Sequence, residues 1–347
     1  MDRRTVITAA SAAALLRARP ARAARITGAG STFAALVVEE WGKAFAANGQ
    51  AEVGYDAVGS GEGVARIKAG QVAFGASDMP LGADELDAAG LVQFPFIIGG
   101  VSPVINVPGI QAGELILDAD TLAGIYLGKI TRWDDPELQR TNPGLQLPGL
   151  PIRLVRRADG SGTTFLFTDF LTKRVADWAK AVGTGLQVTW PVATLEAKSS
   201  AGVVETVAAT PGAIGYVEYS YIRREHLTYT RMYNQSGRPV RPARVAFQAA
   251  AAHADWAAAP DFRVVLTAQP GYGSWPITGA TYALVKKQPA DPMATLDALK
   301  FFAWAYASGG EIAASHDFVP LPAEVPRLVE DLWRSALVDA AGKPLWS

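Results

Sequence analysis

Arg156-Arg157-Ala158-Asp159-Gly160-Ser161-Gly162-Thr163-Thr164 lies between two segments of different periodicity. Before it, Ile152-Arg153-Leu154-Val155 reads as an extended apolar segment. After it, Phe167, Leu171, Trp178 and Val182 fall mostly four or seven apart, the spacing of one helix face. The spacing therefore predicts a strand, a Gly/Ser/Thr turn and a helix start. The first N–H groups of a helix have no internal acceptor, and the helix dipole adds partial positive charge there. Such a turn suits an anion. The hydroxyls of Ser161, Thr163 and Thr164 add donors, and Arg157 offers a planar fork that matches two oxygens of an oxyanion. The same residues would also make an ordinary turn with a Ser or Thr N-cap.

Two further stretches have the same character and weigh against the ordinary turn. Ile26-Thr27-Gly28-Ala29-Gly30-Ser31-Thr32-Phe33 reads as a strand, a donor-rich turn and then a helix carrying Val37, Trp41 and Phe45, with Gly49 as its stop. Its Gly-x-Gly lacks the third glycine of a dinucleotide fingerprint. Gly59-Ser60-Gly61-Glu62-Gly63 follows the strand Val53–Tyr55 and precedes a short helix over Val64–Ala69. Val72–Gly75 reads as a buried strand ending at Ser77-Asp78, where Asp78 is either a plain N-cap or an acceptor in a site otherwise made of donors.

Strands alternate with helical patterns along the rest of the chain, which argues an α/β fold. In such folds ligands sit outside the carboxyl ends of the strands, where all of these turns would lie. Gln93 to Asn106 is long enough to cross from one domain to another. Trp275-Pro276-Ile277 and the strand over Tyr282–Val285 form a candidate second crossover. A helix is expected over Leu115–Leu127, a strand over Gly212–Tyr219 and a solvated basic loop over Arg238–Arg244. Two crossovers give one lobe built from the chain ends, 25–105 plus 276–347, and one from the middle, 106–275.

The chain has 347 residues, 49% hydrophobic and 19% charged, a soluble balance with room for two cores. A net charge of −1 gives no basic surface for nucleic acid. Cysteine is absent, which excludes disulfides, thiol catalysis and thiolate metal sites. His226, His253 and His316 share no ligand spacing, so no metal or cofactor is expected. No Gly-x-Ser-x-Gly elbow or histidine partner supports a hydrolase at Ser161, so the chain reads as a binder and not an enzyme. Residues 1–23 read as an export signal: Arg3-Arg4, a small apolar run over Thr5–Leu16, and Ala21-Arg22-Ala23. Adjacent arginines match the twin-arginine route loosely and an ordinary secretory signal equally. Removing this segment takes away five Arg and one Asp, shifting the charge from −1 to −5.

From about Thr27 to Leu345 the chain resembles the periplasmic phosphate-binding protein family of the high-affinity phosphate ABC transporter, the PstS family. The resemblance rests on Thr27–Phe33, Phe74–Asp78, Gln93-Phe94-Pro95 with Ile98–Val101, Gly113-Glu114-Leu115, Ile125–Ile130, Arg156–Thr163, Pro211–Tyr219 and Trp275–Thr278. It implies a two-lobed type II periplasmic-binding-protein fold with two interlobe crossover strands that closes on phosphate. It further implies delivery to an inner-membrane permease, a periplasmic location and a monomer. By matching motif, the phosphate ligands would be Thr32, the Phe33 amide, Ser60, Asp78, Arg157, Ser161, Gly162 and Thr163, with Asp159 pairing the site arginine. Of the two adjacent arginines only one can enter the pocket, because neighbouring strand residues face opposite ways. The family's second turn is usually Gly-Ser-Ser-Gly-Gly. Here Gly61 loses a hydroxyl and Glu62 adds a carboxylate, expected to face solvent.

Overall fold

A single 16-residue strand, Leu91–Asn106, ties the molecule together in the computed structural model, which describes residues 25–347. The export signal read over residues 1–23 lies outside the described residues. All but the last residue of this strand is buried, and Phe94, Phe96, Ile97, Ile98, Val101 and Val104 supply the apolar run that two-faced burial requires. Its first part, Leu91–Gly100, pairs antiparallel with Thr278–Lys286. Its last part, Val101–Asn106, pairs antiparallel with Ala213–Glu218. The strand therefore belongs to two pairing systems within one sheet.

That sheet runs Glu52–Asp56, Arg25–Gly30, Phe74–Ser77, Thr278–Lys286, Leu91–Asn106, Ala213–Glu218, Arg153–Arg157, Leu195–Ala197, with Thr228–Tyr229 added on the long strand. Parallel pairs dominate each end: Arg25–Gly30 with both of its neighbours, and Arg153–Arg157 with both of its own. Their carboxyl ends open toward the middle, and each leads into a glycine-containing turn and a helix.

The two ends have separate aromatic packing. Trp41, Phe45, Phe74, Phe94, Phe96, Phe301, Phe302 and Trp333 are buried at the first. There Phe302 lies edge-on to both Phe74 and Phe94 at 5.1 and 5.3 Å between ring centres. Tyr126, Phe167, Trp178 and Tyr216 are buried at the second, where Phe167 stacks on Tyr216 at 4.3 Å. Residues 256–268 reach across: the Gln93 amide donates to the Asp261 carbonyl, and Lys173 donates to Thr267.

Several boundaries differ from the sequence reading for identifiable reasons. The pattern over Phe167–Val182 is two helices, Gly162–Arg174 and Ala176–Ala181, broken where Val175 is extended. The break turns Trp178 back against Phe167. The expected helix over Leu115–Leu127 begins only at Ala119, because Asp118 caps it through a reciprocal bond with Thr121 and Ile116–Leu117 pairs as a short strand. The helix expected from Val64 begins at Ser60, so Ser60-Gly61-Glu62-Gly63 is its first turn. Gly63 permits this: a Cβ there would lie 2.4 Å from the Gly30 Cα, so only glycine lets the helix rest directly on the strand end.

Candidate anion-binding site

Four helix starts converge where the sheet ends open: Ala35–Ala47, Ser60–Lys68, Gly162–Arg174 and Ser199–Ala209. The first two come from one end of the sheet and the last two from the other. Thr32, Phe33, Ser60, Asp78, Arg157, Ser161 and Thr163 are all at most 3% exposed.

Contacts between the two ends run through these residues. Gly162 N–H donates to Ser60 Oγ at 3.1 Å, and Gly61 N–H donates to the Gly160 carbonyl at 2.9 Å. Arg157 Nη1 donates to Thr32 Oγ1 at 3.1 Å, 125 residues away in sequence. A Cβ on Gly162 would meet Asp78 Oδ2 at 2.3 Å and Ser60 Oγ at 2.6 Å. Gly162 is therefore the position at which one end of the sheet is pressed against the other.

The arginine pair divides as strand alternation requires. The Arg157 side chain is 1% exposed and the Arg156 side chain 21%. Arg156 turns outward to Glu196 and Thr194. Arg157 presents Nε and Nη2 to Asp159 as a two-pronged pair, with Nε 2.8 Å from Oδ1. Asp159 also accepts the Ser199 amide at 3.0 Å. Burial works against its ionisation, but the Arg157 hydrogen bonds and charge and the Ser199 amide outweigh it and hold the carboxyl below its ordinary range. Nη1 is the part of the guanidinium left for the pocket.

Asp78 is the buried acceptor. Its carboxylate takes the Ser31 hydroxyl at 2.7 and 2.8 Å and the Thr281 hydroxyl at 2.7 Å. Burial dominates and raises its pKa to about 6, against the pull of those two hydroxyls and of the Arg157 charge. It is thus ionised near neutrality. A carboxylate offers about four lone-pair positions; Oδ1 takes both hydroxyls while Oδ2, the oxygen beside Gly162, only shares Ser31, which leaves accepting capacity there.

The surrounding hydroxyls are committed as acceptors, and that leaves their protons over. Ser60 Oγ takes the amides of Asp78 and Gly162, and Ser161 Oγ takes the Thr164 amide. Neither hydroxyl proton has an acceptor among the described residues. Thr163 Oγ1 is buried with no partner among the described residues. Buried donors are ordinarily satisfied, so three uncommitted O–H groups on converging turns call for an acceptor that the described residues do not supply. The Phe33 amide is different: it donates within its own turn to Ser31 Oγ at 3.0 Å.

Glu62 faces solvent, 52% exposed, and pairs with Arg66 at 2.9 Å. The hydroxyl absent at Gly61 would have stood where the Gly160 main chain approaches, since a Cβ there would lie 3.2 Å from the Gly160 Cα. Sequence reading passed over Ser31, Thr281 and the Ser199-Ser200 pair. Ser31 stands inside the first turn and Thr281 on the second crossover strand, so each had a positional signal. For Ser199-Ser200 the signal was a serine pair ahead of the periodic Val203, Val204 and Val207.

A family model described as a PBP superfamily domain matches residues 17–308. A Xylella fastidiosa relative named phosphate-binding protein PstS is 41% identical over 318 residues, spanning 92% of this chain and 87% of its own. A Haemophilus influenzae relative of the same name is 41% identical over 317 residues, spanning 91% and 95%. Among solved structures, a high-affinity periplasmic phosphate-binding protein bound with phosphate superposes with a TM-score of 0.73, covering 92% of this chain and 96% of that one. At 22% identity that likeness shows the shared two-domain fold.

Proposed function

We propose, since this chain belongs to the PstS family of phosphate-binding proteins within the PBP superfamily, that it captures inorganic phosphate between two lobes and hands it to an inner-membrane ABC permease. The lobes are 25–105 plus 276–347 and 106–275. Residues 1–23 direct export to the periplasm, and the protein acts as a monomeric carrier without catalysis.

The supporting observation is the set of uncommitted hydroxyl protons on Ser60, Ser161 and Thr163, on turns that meet at Gly162 beside the buried Asp78 carboxylate, together with Arg157 Nη1 beside Thr32. Thr32, Ser60, Arg157, Ser161 and Thr163 donate to the ion, and the amides of Phe33 and Gly162 turn from Ser31 and Ser60 to join them. Asp78 is the one acceptor and takes the proton that phosphate keeps at neutral pH. Asp159 holds the guanidinium and tempers its charge.

The formal charges of Arg157, Asp159 and Asp78 sum to −1, so binding an anion rests on local dipoles at helix starts and hydroxyls as much as on the arginine. In a closed, dry cleft such bonds are stronger than in water. Submicromolar binding requires more than about 8 kcal/mol, within reach of several charge-assisted bonds. Closure then gives the permease one shape to recognise.

Titrating the exported form calorimetrically with phosphate and with sulfate tests this reading. One tight phosphate site and no measurable sulfate binding is expected; equal affinity for the two ions sinks it. Gly162→Ala tests closure. Its methyl would collide with Asp78 and Ser60, and relieving such overpacking costs about 1–3 kcal/mol. That corresponds to roughly ten- to hundredfold weaker phosphate binding, with a smaller phosphate-induced rise in melting temperature. Undiminished affinity would show that the cleft does not close at Gly162.

A further inference from the structure

We infer that Ser200 is an additional phosphate ligand, contributed by a fourth element of the cleft; the inference rests on the function proposed above. Ser200 is 1% exposed. Its Oγ lies 2.8 Å from Thr32 Oγ1 and 3.4 Å from Arg157 Nη1. Thr32 is 168 residues away and comes from the opposite lobe.

A proton count at this corner carries the inference. Arg157 Nη1 donates toward both hydroxyl oxygens. Thr32 and Ser200 bring two O–H protons, and one of them fills the bond between their oxygens. The other is not taken up by any further hydroxyl or carbonyl among the described residues; the Tyr221 phenol, whose own proton goes to the Thr32 carbonyl, is the competing acceptor beside Ser200. The arrangement matches Ser60 and Ser161: a buried hydroxyl anchored as an acceptor, with its proton left for an oxyanion. When phosphate oxygen enters, the two hydroxyls have no reason to share a proton, and each donates to the ion beside Nη1.

The local backbone is built to hold Ser200 there. Ser199 has φ of 64°, a left-handed conformation that a residue with a Cβ adopts only at a cost. Its amide is fastened to Asp159 Oδ1, the carboxyl that also holds the Arg157 fork. One acid thus sets guanidinium and Ser200 in a fixed relation. Ser199 Oγ takes the Gly202 amide at 3.4 Å, the bond that Ser161 makes for its own helix, and this leaves the Ser200 hydroxyl free of that role.

The test compares wild type, Ser200→Ala and Ser200→Thr by phosphate calorimetry, and by thermal unfolding with and without phosphate. A hydrogen bond to a charged group is worth enough to make Ser200→Ala roughly ten- to hundredfold weaker. Its ligand-free melting temperature should stay put while the phosphate-induced rise shrinks. Ser200→Thr should recover most of the affinity, because the hydroxyl is restored. Unchanged affinity in Ser200→Ala, with wild type binding normally, overturns this inference and leaves the function standing. Equal weakening in both variants together with a lowered ligand-free melting temperature also overturns it, since the role would then be structural. A wild type that takes no phosphate removes the function and this ligand with it.

Discussion

Arg157→Ala is expected to lose about three orders of magnitude in phosphate affinity, while Arg156→Ala stays within about threefold of wild type. Two effects combine at Arg157. The pocket loses the Nη1 donor that lies against Thr32 and Ser200. Asp159 also loses the partner that offsets its buried carboxylate. Removing one member of a buried ion pair typically costs about 3–5 kcal/mol because the other charge is stranded. Here the stranded charge would be negative and would face an incoming anion. Arg156 makes its ion pair with Glu196 near solvent, and exposed pairs contribute about 0–1 kcal/mol. Calorimetric titration of the two single variants checks this directly. Equal losses at both positions would mean that the assignment of the inward-facing arginine is wrong. The double change Arg157→Ala with Asp159→Ala should recover part of the loss, because the uncompensated carboxylate goes with it.

Asp78→Asn should collapse the preference for phosphate over sulfate while leaving phosphate binding within about tenfold. On the proposed reading, phosphate donates a hydrogen to Asp78, and a fully deprotonated tetrahedral ion would set lone pair against lone pair. A site built around one hydrogen bond can reject an analogue that cannot make it by about 10⁴–10⁵. In the variant the amide oxygen still accepts from Ser31 and Thr281, and the amide nitrogen donates where the carboxylate accepted. Sulfate then meets only donors.

The same group sets a pH response. Its pKa is raised to about 6, so Asp78 is an acceptor above that pH and progressively a donor below it. Wild-type affinity for phosphate should fall as pH drops through about 6, and Asp78→Asn should flatten that fall. The raised value also carries a stability consequence: the neutral acid favours the ligand-free fold, an advantage complete below the unfolded carboxyl's ordinary range and lost as pH rises through about 6. Unaltered sulfate rejection in Asp78→Asn, measured by competition at neutral pH, would remove Asp78 from the specificity role.

Much of the cleft was legible because turn chemistry is local. Gly-Ser-Thr at Gly30–Thr32, Gly-Ser-Gly at Gly59–Gly61 and Gly-Ser-Gly-Thr at Gly160–Thr163 each follow a strand and open a helix, and every part of that signal lies within a few residues. The long apolar run over Gln93–Asn106 announced a strand crossing between domains for the same reason, since its length alone exceeds an ordinary strand. Alternation along Arg153–Arg157 was enough to say that only one arginine enters. Less legible were the helix boundaries, where Asp118, Val175 and Ser60 depend on caps and on what the next element must bury.

Sequence by itself therefore determined the class of fold, the donor-rich turns and the strand-end acid Asp78 beside them. Tertiary structure alone decided what supports that acid and what faces the arginine. Ser31 and Thr281 reach Asp78 from 47 and 203 residues away, and Ser200 reaches Thr32 from 168. Such neighbours are set by which strand ends the sheet order brings together, and no local periodicity encodes that order. The fit of Gly162 against Asp78 and Ser60 belongs to the same class: it exists only once two lobes, folded from distant parts of the chain, have met.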